Sequence, residues 1–533
     1  MDSEVDVAEN GRRRLTRRQL LVHGGAATAG VAGLSAAGLV GYSIPHTAPA
    51  QAQTAIPKAP PVTAASPGVL QFVSRPDLHP PAISIARRRH IAAPDPADPP
   101  YFIVSAAGYP LIGPGTPGLM ILNRDGGIVW YSPNTGFPAK DGEGRMDFNV
   151  QSYRGQAVLT WWQGKIIKGY GEGQAMIADS SYTTIATVKG GNGLQADLHE
   201  FVITPQDTAL ITAYRQVTTD LSAIGGHSRG VALSGVVQEI DIPSGRVLFE
   251  WSSIDHVPVT DTYIPFAGGT KSAPFDYLHI NSIAIAPDGD LIVSARNTST
   301  VYKIARPSGN VVWRLSGKRS SFSMGPGATF WFQHHARPQG ENALSIFDDG
   351  ASPAKETQSR GILLNLDTAT MRATLTRSYV HPARLLAANQ GSMQVLGNGR
   401  VFVGWGNLPY FSEFLSDGTL ALDGQFPVGD QSYRSFTAGW TGHPTDSPAI
   451  AARVNQAGGS TVYASWNGAT ELDSWTVFAG KASTDLVQVG SQPHSGFEST
   501  ITVNTEGPYF AVTALDASGG VLGRSATVRL ESG

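Results

Sequence analysis

The sequence predicts an all-β chain, a six-bladed β-propeller over residues 100–426 followed by an immunoglobulin- or fibronectin-like β-sandwich over 432–533. Three observations lead there. Helical periodicity is almost absent after Phe72, a strand–turn–strand unit recurs along the body, and the last stretch changes to about seven short alternating strands in roughly 100 residues. At 533 residues the chain is too long for one ordinary core.

The N-terminus carries its own signal. Thr16-Arg17-Arg18-Gln19-Leu20-Leu21 is a twin-arginine pattern, and no formal charge occurs from Leu20 to Tyr42. Ala50-Gln51-Ala52 offers a small-residue cleavage site. Residues 1–52 therefore read as a signal peptide handled by the twin-arginine translocase, which predicts an extracellular or envelope-associated protein. A retained membrane anchor competes, because the uncharged run is long enough to span a bilayer. Residues 53–99, with Pro57, Pro60, Pro61 and Pro67, read as a Pro/Ala-rich linker and lead-in. Oligomeric state is not legible.

The clearest repeat runs from His279 to Ser316, four strands with turns at Pro287-Asp288-Gly289 and Pro307-Ser308-Gly309. The same grammar spans Leu198 to Trp251, Gln333 to Val380 and Asn389 to Phe426, with earlier copies at Leu119 to Pro133 and Asp147 to Trp162. Six units with loop insertions suit a propeller better than a two-sheet sandwich, which needs no repeated unit. In the C-terminal part, Trp466 and Trp475 read as core, and its polar residues do not converge.

Composition excludes several functions. A net charge of −3 argues against a nucleic-acid partner. The lack of cysteine removes disulfides, thiolate metal sites and cysteine-derived catalytic groups. In a propeller the first polar residues of each inner strand converge at the channel mouth. Aligning the units on their second strands brings His199, His279, Asn281, His334, His335, Gln390 and Asp147 to one level. Arg296 and Asn297 end the second strand of the His279 unit and suit an anion. Three histidines could also bind zinc, with Asp197 and Glu200 nearby in sequence, but the arginine favours an anion and the ring reads as poor in carboxylates. No metal or other cofactor is expected. Trp161, Trp162, Trp331, Phe332 and Trp405 could wall an aromatic ligand or simply pack.

The segments DLHEF, DYLHINS, SARNTSTVYKI, VVWRLSG, FQHHARPQGENALSIFDDG and GSMQVLGNGRVFVGWG, with YASWNGAT further on, resemble the arylsulfotransferase family over about residues 70–530. The resemblance implies transfer of a sulfuryl group from a small aromatic sulfate donor to a phenolic acceptor without a nucleotide donor. It places the motif histidines on His199, His279 and His334, accompanied by Asn281 and Arg296, with His334 transiently sulfurylated. The His334-His335 doublet departs from the family's single histidine. Because adjacent strand residues face opposite sides, His335 is expected behind His334. A sulfatase would need formylglycine, and a propeller lactonase a calcium held by carboxylates. A non-catalytic exported propeller binding a cell-wall or extracellular ligand is the competing class.

Overall fold

The computed structural model describes residues 68–88, 95–107, 113–135, 143–505 and 507–530; the twin-arginine segment and most of the Pro-rich linker lie outside them. The described chain is all-β. Six sheets form the body, five of them around four strands consecutive in sequence and the first around three that a later strand joins. The first holds Tyr101–Ala106, Gly118–Asn123 and Ile128–Pro133. The second runs through Glu143–Tyr153, Gln156–Ile167, Tyr170–Ala178 and Thr184–Val188. The third contains Phe201–Ile203, Thr208–Thr219, Gly230–Asp241 and Val247–Ser252. The fourth has Ile280–Ile285, Leu291–Ala295, Thr300–Ile304 and Val311–Leu315. His334–Pro338, Ala343–Asp348, Arg360–Asp367 and Arg372–Tyr379 make the fifth. Ser392–Val395, Val401–Gly404, Tyr410–Phe414 and Leu420–Gln425 make the sixth.

Each of these sheets is covered on both faces, which is why strands such as LIVSA and GVALSGVV are nearly uninterrupted apolar runs. Leu210, Val237 and Trp251 of the third sheet interdigitate with Ile283, Leu291 and Tyr302 of the fourth. On its other face the fourth presents Ile292, Val301 and Trp313 to Leu344, Ile346 and Ile362 of the fifth. Tight turns supply the punctuation: Gly289 and Gly309, at φ 88° and 74°, sit where the sequence places turn glycines.

Two boundaries differ from the sequence reading. Ser435–Ala438, expected in the C-terminal domain, pairs antiparallel with Tyr101–Ala106 and becomes the inner strand of the first sheet. Ser84–Arg87, expected in the lead-in, pairs with Leu420–Gln425 as an edge strand of the sixth. Both are short segments distant in sequence from their partners, so periodicity alone could not attach them. With Ser435–Ala438 in place, the six inner strands touch in succession, from the first sheet through the sixth and back to the first.

Beyond residue 448 the chain forms two further sheets. One contains Ala449–Val454, Ser460–Ser465 and Glu498–Val503. The other contains Ser474–Ala482, Asp485–Pro493, Tyr509–Leu515, Val521–Arg524 and Val528–Arg529. They share a core around Trp475, Val462, Ile501 and Phe510, with Trp466 against it. This region docks on the first sheet through Asn467, whose side chain bonds both backbone groups of Tyr131.

Arg434, at the entry to the returning strand, is fully buried. Its guanidinium reaches Asp147 of the second sheet at 2.9 Å, Glu200 before the third at 2.8 Å and the carbonyl of Asn281 in the fourth at 2.7 Å. Glu200 also receives Arg337 of the fifth sheet at 2.6 Å. Removing one partner of such a network strands the others in a dry interior. Arg434→Met is therefore expected to cost about 3–5 kcal/mol in chemical denaturation; a loss below about 1 kcal/mol would mean that the network carries no structural weight.

Candidate active site

Four of the inner strands share a local device. Backbone φ is positive at His279 (58°) and His335 (50°), at the starts of their strands, at Gln390 (68°), two residues before its strand, and at Asp147 (55°), inside Glu143–Tyr153 where the register breaks. Left-handed geometry is uncommon outside glycine, and at these positions it re-aims the side chains. A break in register after His334 on the same strand has the same consequence.

His199, His279 and His334 line one small cavity with Gln390, Tyr433 and the apolar side chains of Met146, Ile166 and Leu198. The rings of His199 and His279 meet edge to face at 4.6 Å. The cavity is small, about 50 Å³, a size that suits a compact oxoanion. A far larger hollow of about 950 Å³, bounded by Tyr153, Asp179, Trp440 and His443 among others, contains none of these histidines.

The carboxylates correct the sequence reading, in which the ring is poor in acids. Each histidine has its Nδ1 against an aspartate: His199 on Asp197 at 2.6 Å, His279 on Asp276 at 2.5 Å and His334 on Asp349 at 2.7 Å. Asp197 precedes its histidine by two residues and Asp276 by three, while Asp349 lies just past the strand that pairs with His334. The DLH and DYLH spacings were visible; the third pairing needed the hairpin. Because Nδ1 is engaged in all three, Nε2 is the ring atom turned to a ligand in His199 and His279, while in His334 it already accepts the Gln390 N–H.

The three pairs are electrostatically unequal. Asp197 also accepts from the backbone N–H groups of Gly171 and His199 and from the Thr212 hydroxyl. Burial pulls its carboxyl upward, but His199 and these donors outweigh that and hold it below the usual range. Asp349 lacks such donors, and its Oδ1 has no partner. Burial, reinforced by Asp348 and opposed by Arg296, raises Asp349 well above a normal carboxyl. Burial first, and then Arg296, depress His334 well below an ordinary imidazole. The two lie at ion-pair distance, yet both shifts oppose an ion pair, so His334 is neutral. The Gln390 N–H donates to His334 Nε2 at 3.2 Å, which makes Nε2 the bare nitrogen and Nδ1–H the donor to Asp349. His279 is lowered mainly by burial, against the pull of Asp276.

Other expected residues stand behind the cavity. Arg296 lies over the Phe332 ring at 5.1 Å and donates to Asn297 and to the carbonyls of Ser352 and Ala388. Asn297 in turn donates to the Asp276 carbonyl. Asn281 gives its amide to the carbonyl of Gln333, directly before His334. His335 points away, with Nδ1 at the Met393 backbone and its ring by Phe436. Among the described residues no group of three His, Cys, Asp or Glu is arranged to hold a metal ion. Of the aromatics, Trp162 and Trp405 are buried and bonded to Ala196 and Ser412, Trp161 is core, and Phe332 is fully covered. Trp331 is half-buried beneath the Lys355 ammonium. Tyr433 and Arg434 escaped sequence reasoning because their segment looked like the start of the next domain.

An all-β chain with carboxylate-backed histidines around an oxoanion-sized cavity defines a class of site before any comparison. The profile of the arylsulfotransferase (ASST) family matches residues 149–427, just over half of the chain, and the chain belongs to that family. No curated protein matches it. Among solved structures, a protein of unknown function from Bacteroides caccae is 15% identical at TM-score 0.35, covering 61% of this chain and 93% of its own. A catalytically inactive virginiamycin B lyase from Staphylococcus aureus with quinupristin is 11% identical at TM-score 0.32, covering 65% and 89%. The Cps50 (Swd1) β-propeller domain from Myceliophteria thermophila is 10% identical at TM-score 0.30, covering 58% and 95%.

His335 gives a stability test free of a carboxylate partner at its ring. Burial, then the charges of Arg337 and Arg434, depress it well below its unfolded value. Below about pH 6.5 the unfolded chain binds a proton that the folded one refuses, so stability falls by up to about 1.4 kcal/mol per pH unit. Calorimetric unfolding between pH 7.5 and 5 should show a shallower fall in His335→Asn than in wild type; parallel curves would contradict this.

Proposed function

We propose that the chain transfers a sulfuryl group from an aryl sulfate to a phenolic acceptor through a covalent adduct on His334 Nε2. The supporting observation is the convergence of three histidines, each fixed at Nδ1 by aspartate, on a cavity of oxoanion size in a member of the arylsulfotransferase family. In this reading the six sheets are the blades of a propeller, the C-terminal pair of sheets is a β-sandwich, and the protein is exported by the twin-arginine route to the cell envelope or beyond.

The chemistry follows from the protonation states. Neutral His334 attacks sulfur with its Nε2 lone pair; the N–S bond forms as the S–O bond to the arene breaks. His199, backed by the buried but well hydrogen-bonded Asp197, supplies the proton that the departing phenoxide takes. The sulfurylated ring becomes cationic and keeps its Nδ1 proton, which stays hydrogen-bonded to Asp349 until the N–S bond breaks. Arg296 turns from backbone carbonyls to the sulfuryl oxygens, where each preorganised contact supplies roughly 2–4 kcal/mol. In the second half the acceptor phenol returns its proton to His199 and attacks sulfur, and the N–S bond breaks. Asn281 and Asn297 act through others, holding Gln333, Asp276 and Arg296 in place.

His334→Asn is expected to abolish both adduct and turnover, while His335→Asn keeps a measurable rate. Intact mass after donor alone should show one added sulfuryl group on wild type. A sulfurylated His334→Asn protein would move the nucleophile elsewhere, and a normal rate in it would remove the covalent step.

The reading requires no metal or nucleotide. Release of 4-methylumbelliferone from its sulfate ester, dependent on a phenol acceptor, is expected to survive exhaustive chelation. Activity lost to chelation and restored only by zinc would point to a metal site instead.

A further inference from the structure

The histidine cavity is small, about 50 Å³, so a donor whose sulfuryl end enters it calls for a surface beside it that receives the ring. Two hairpins rise there. In the second sheet, Gln156–Ile167 and Tyr170–Ala178 are 12 and 9 residues long, and in the third, Thr208–Thr219 and Gly230–Asp241 are 12 each. The corresponding strands of the fourth sheet have only 5. The extra length carries the second-sheet hairpin to the site: Ile166 and Gly169 at its tip line the cavity.

The tip is rigidly built. Ile167 pairs with Tyr170 across Lys168 and Gly169, both at positive φ (45° and 97°), the two-residue turn that matches strand twist. A Cβ on Gly171 would lie 2.5 Å from the Trp162 indole, and one on Gly173 2.8 Å from it. Glycine therefore lets the hairpin fold onto Trp162, whose indole N–H is anchored on Ala196. Gly171 N–H then reaches Asp197 at 2.6 Å, tying the hairpin directly to the His199 pair. Lys168 at the apex contacts the Ser272 carbonyl.

This brings two phenol rings beside the histidines. Tyr170 stands 5.3 Å from Tyr214, and Tyr214 is 6.3 Å from both His199 and His279. Both tyrosines are half-buried. Burial, then Glu172, Asp276 and Asp197, raise the Tyr170 phenol, in keeping with its place over the two aspartate–histidine pairs. Tyr214 is fixed by its hydroxyl on the Ile280 carbonyl at 3.0 Å. The alternative aromatic surface, Tyr263 with Trp331, already has Lys318 and Lys355 over its rings.

We infer that Tyr170 and Tyr214, carried by the two long hairpins, form the platform on which the aromatic ring of the donor lies while its sulfuryl group enters the histidine cavity. This rests on the proposed transfer reaction and names the element that selects aryl over simple sulfate. Tyr170 is the position to test, since Tyr214 also holds the strand that follows His279.

Equilibrium binding separates the two ideas, using 4-methylumbelliferyl sulfate and inorganic sulfate as probes on the whole chain. Loss of one ring–ring contact should weaken the aryl probe roughly fivefold in Tyr170→Ala, while Tyr170→Phe stays within about twofold of wild type. Inorganic sulfate should bind all three proteins alike. Unchanged aryl affinity in Tyr170→Ala overturns the platform, and so does an equal loss for inorganic sulfate, which would place the effect in the anion cavity. A wild-type protein that binds neither probe overturns platform and reaction together. One that shows the expected discrimination but never transfers a sulfuryl group keeps the platform and sinks only the reaction.

Discussion

Arg434 sits where the second and third sheets bring two buried carboxylates together, with Arg337 of the fifth as the other cation. Asp147 and Glu200 are both fully enclosed, and without the guanidinium their repulsion would forbid the close approach of the second and third sheets. Burial pushes Asp147 up to about 6 even so, with Glu200 adding to the rise and Arg434 opposing it. Glu200 ends below its usual range despite burial because Arg337 and Arg434 both bond it. One side chain thus fixes the relative positions of the strand entries, and the histidines are the residues that occupy those entries. The ionic layer and the histidine layer are successive levels of a single construction.

The fold was legible where the physics is local. Alternating burial, Asp-Gly and Ser-Gly turns, and a repeated strand–turn–strand unit marked the strands of the fourth, fifth and sixth sheets closely. It was illegible where partners are remote. Ser435–Ala438 and Ser84–Arg87 are four residues each, and nothing in a four-residue strand announces a partner more than 300 residues away. The tyrosine and arginine delivered with the returning strand were lost for the same reason.

The site shows the same division. His199, His279 and His334 emerged from alignment of the repeat, because position in a repeated unit translates into position around a common centre. Their chemical differences did not emerge. Asp197 and Asp349 are both buried acids touching a histidine, but four donors surround one and almost none the other. Hydrogen-bond counts of this kind depend on the glycine-rich hairpin near Gly171 and on a strand pairing, neither of which a motif encodes. Trp162 illustrates the converse. Its aromatic character left a ligand wall and plain packing both open, and the structure uses it as the bed of the hairpin that reaches the cavity.

Scaffold and chemistry meet in the field at His334. Burial alone favours a neutral ring, and Arg296 and Arg434 act in the same direction. Arg434 is needed for the sheets to assemble, so the charge that permits the fold also keeps the proposed nucleophile unprotonated. His199 lies within the same layer but beside an aspartate that its hydrogen-bond donors stabilise as an anion. The two aspartates behind one cavity are thereby driven in opposite directions, Asp197 below the usual carboxyl range and Asp349 above it. That separation comes from which aspartate is hydrogen-bonded and which is left dry, an arrangement set by the hairpins and entry turns more than by the identity of the histidines.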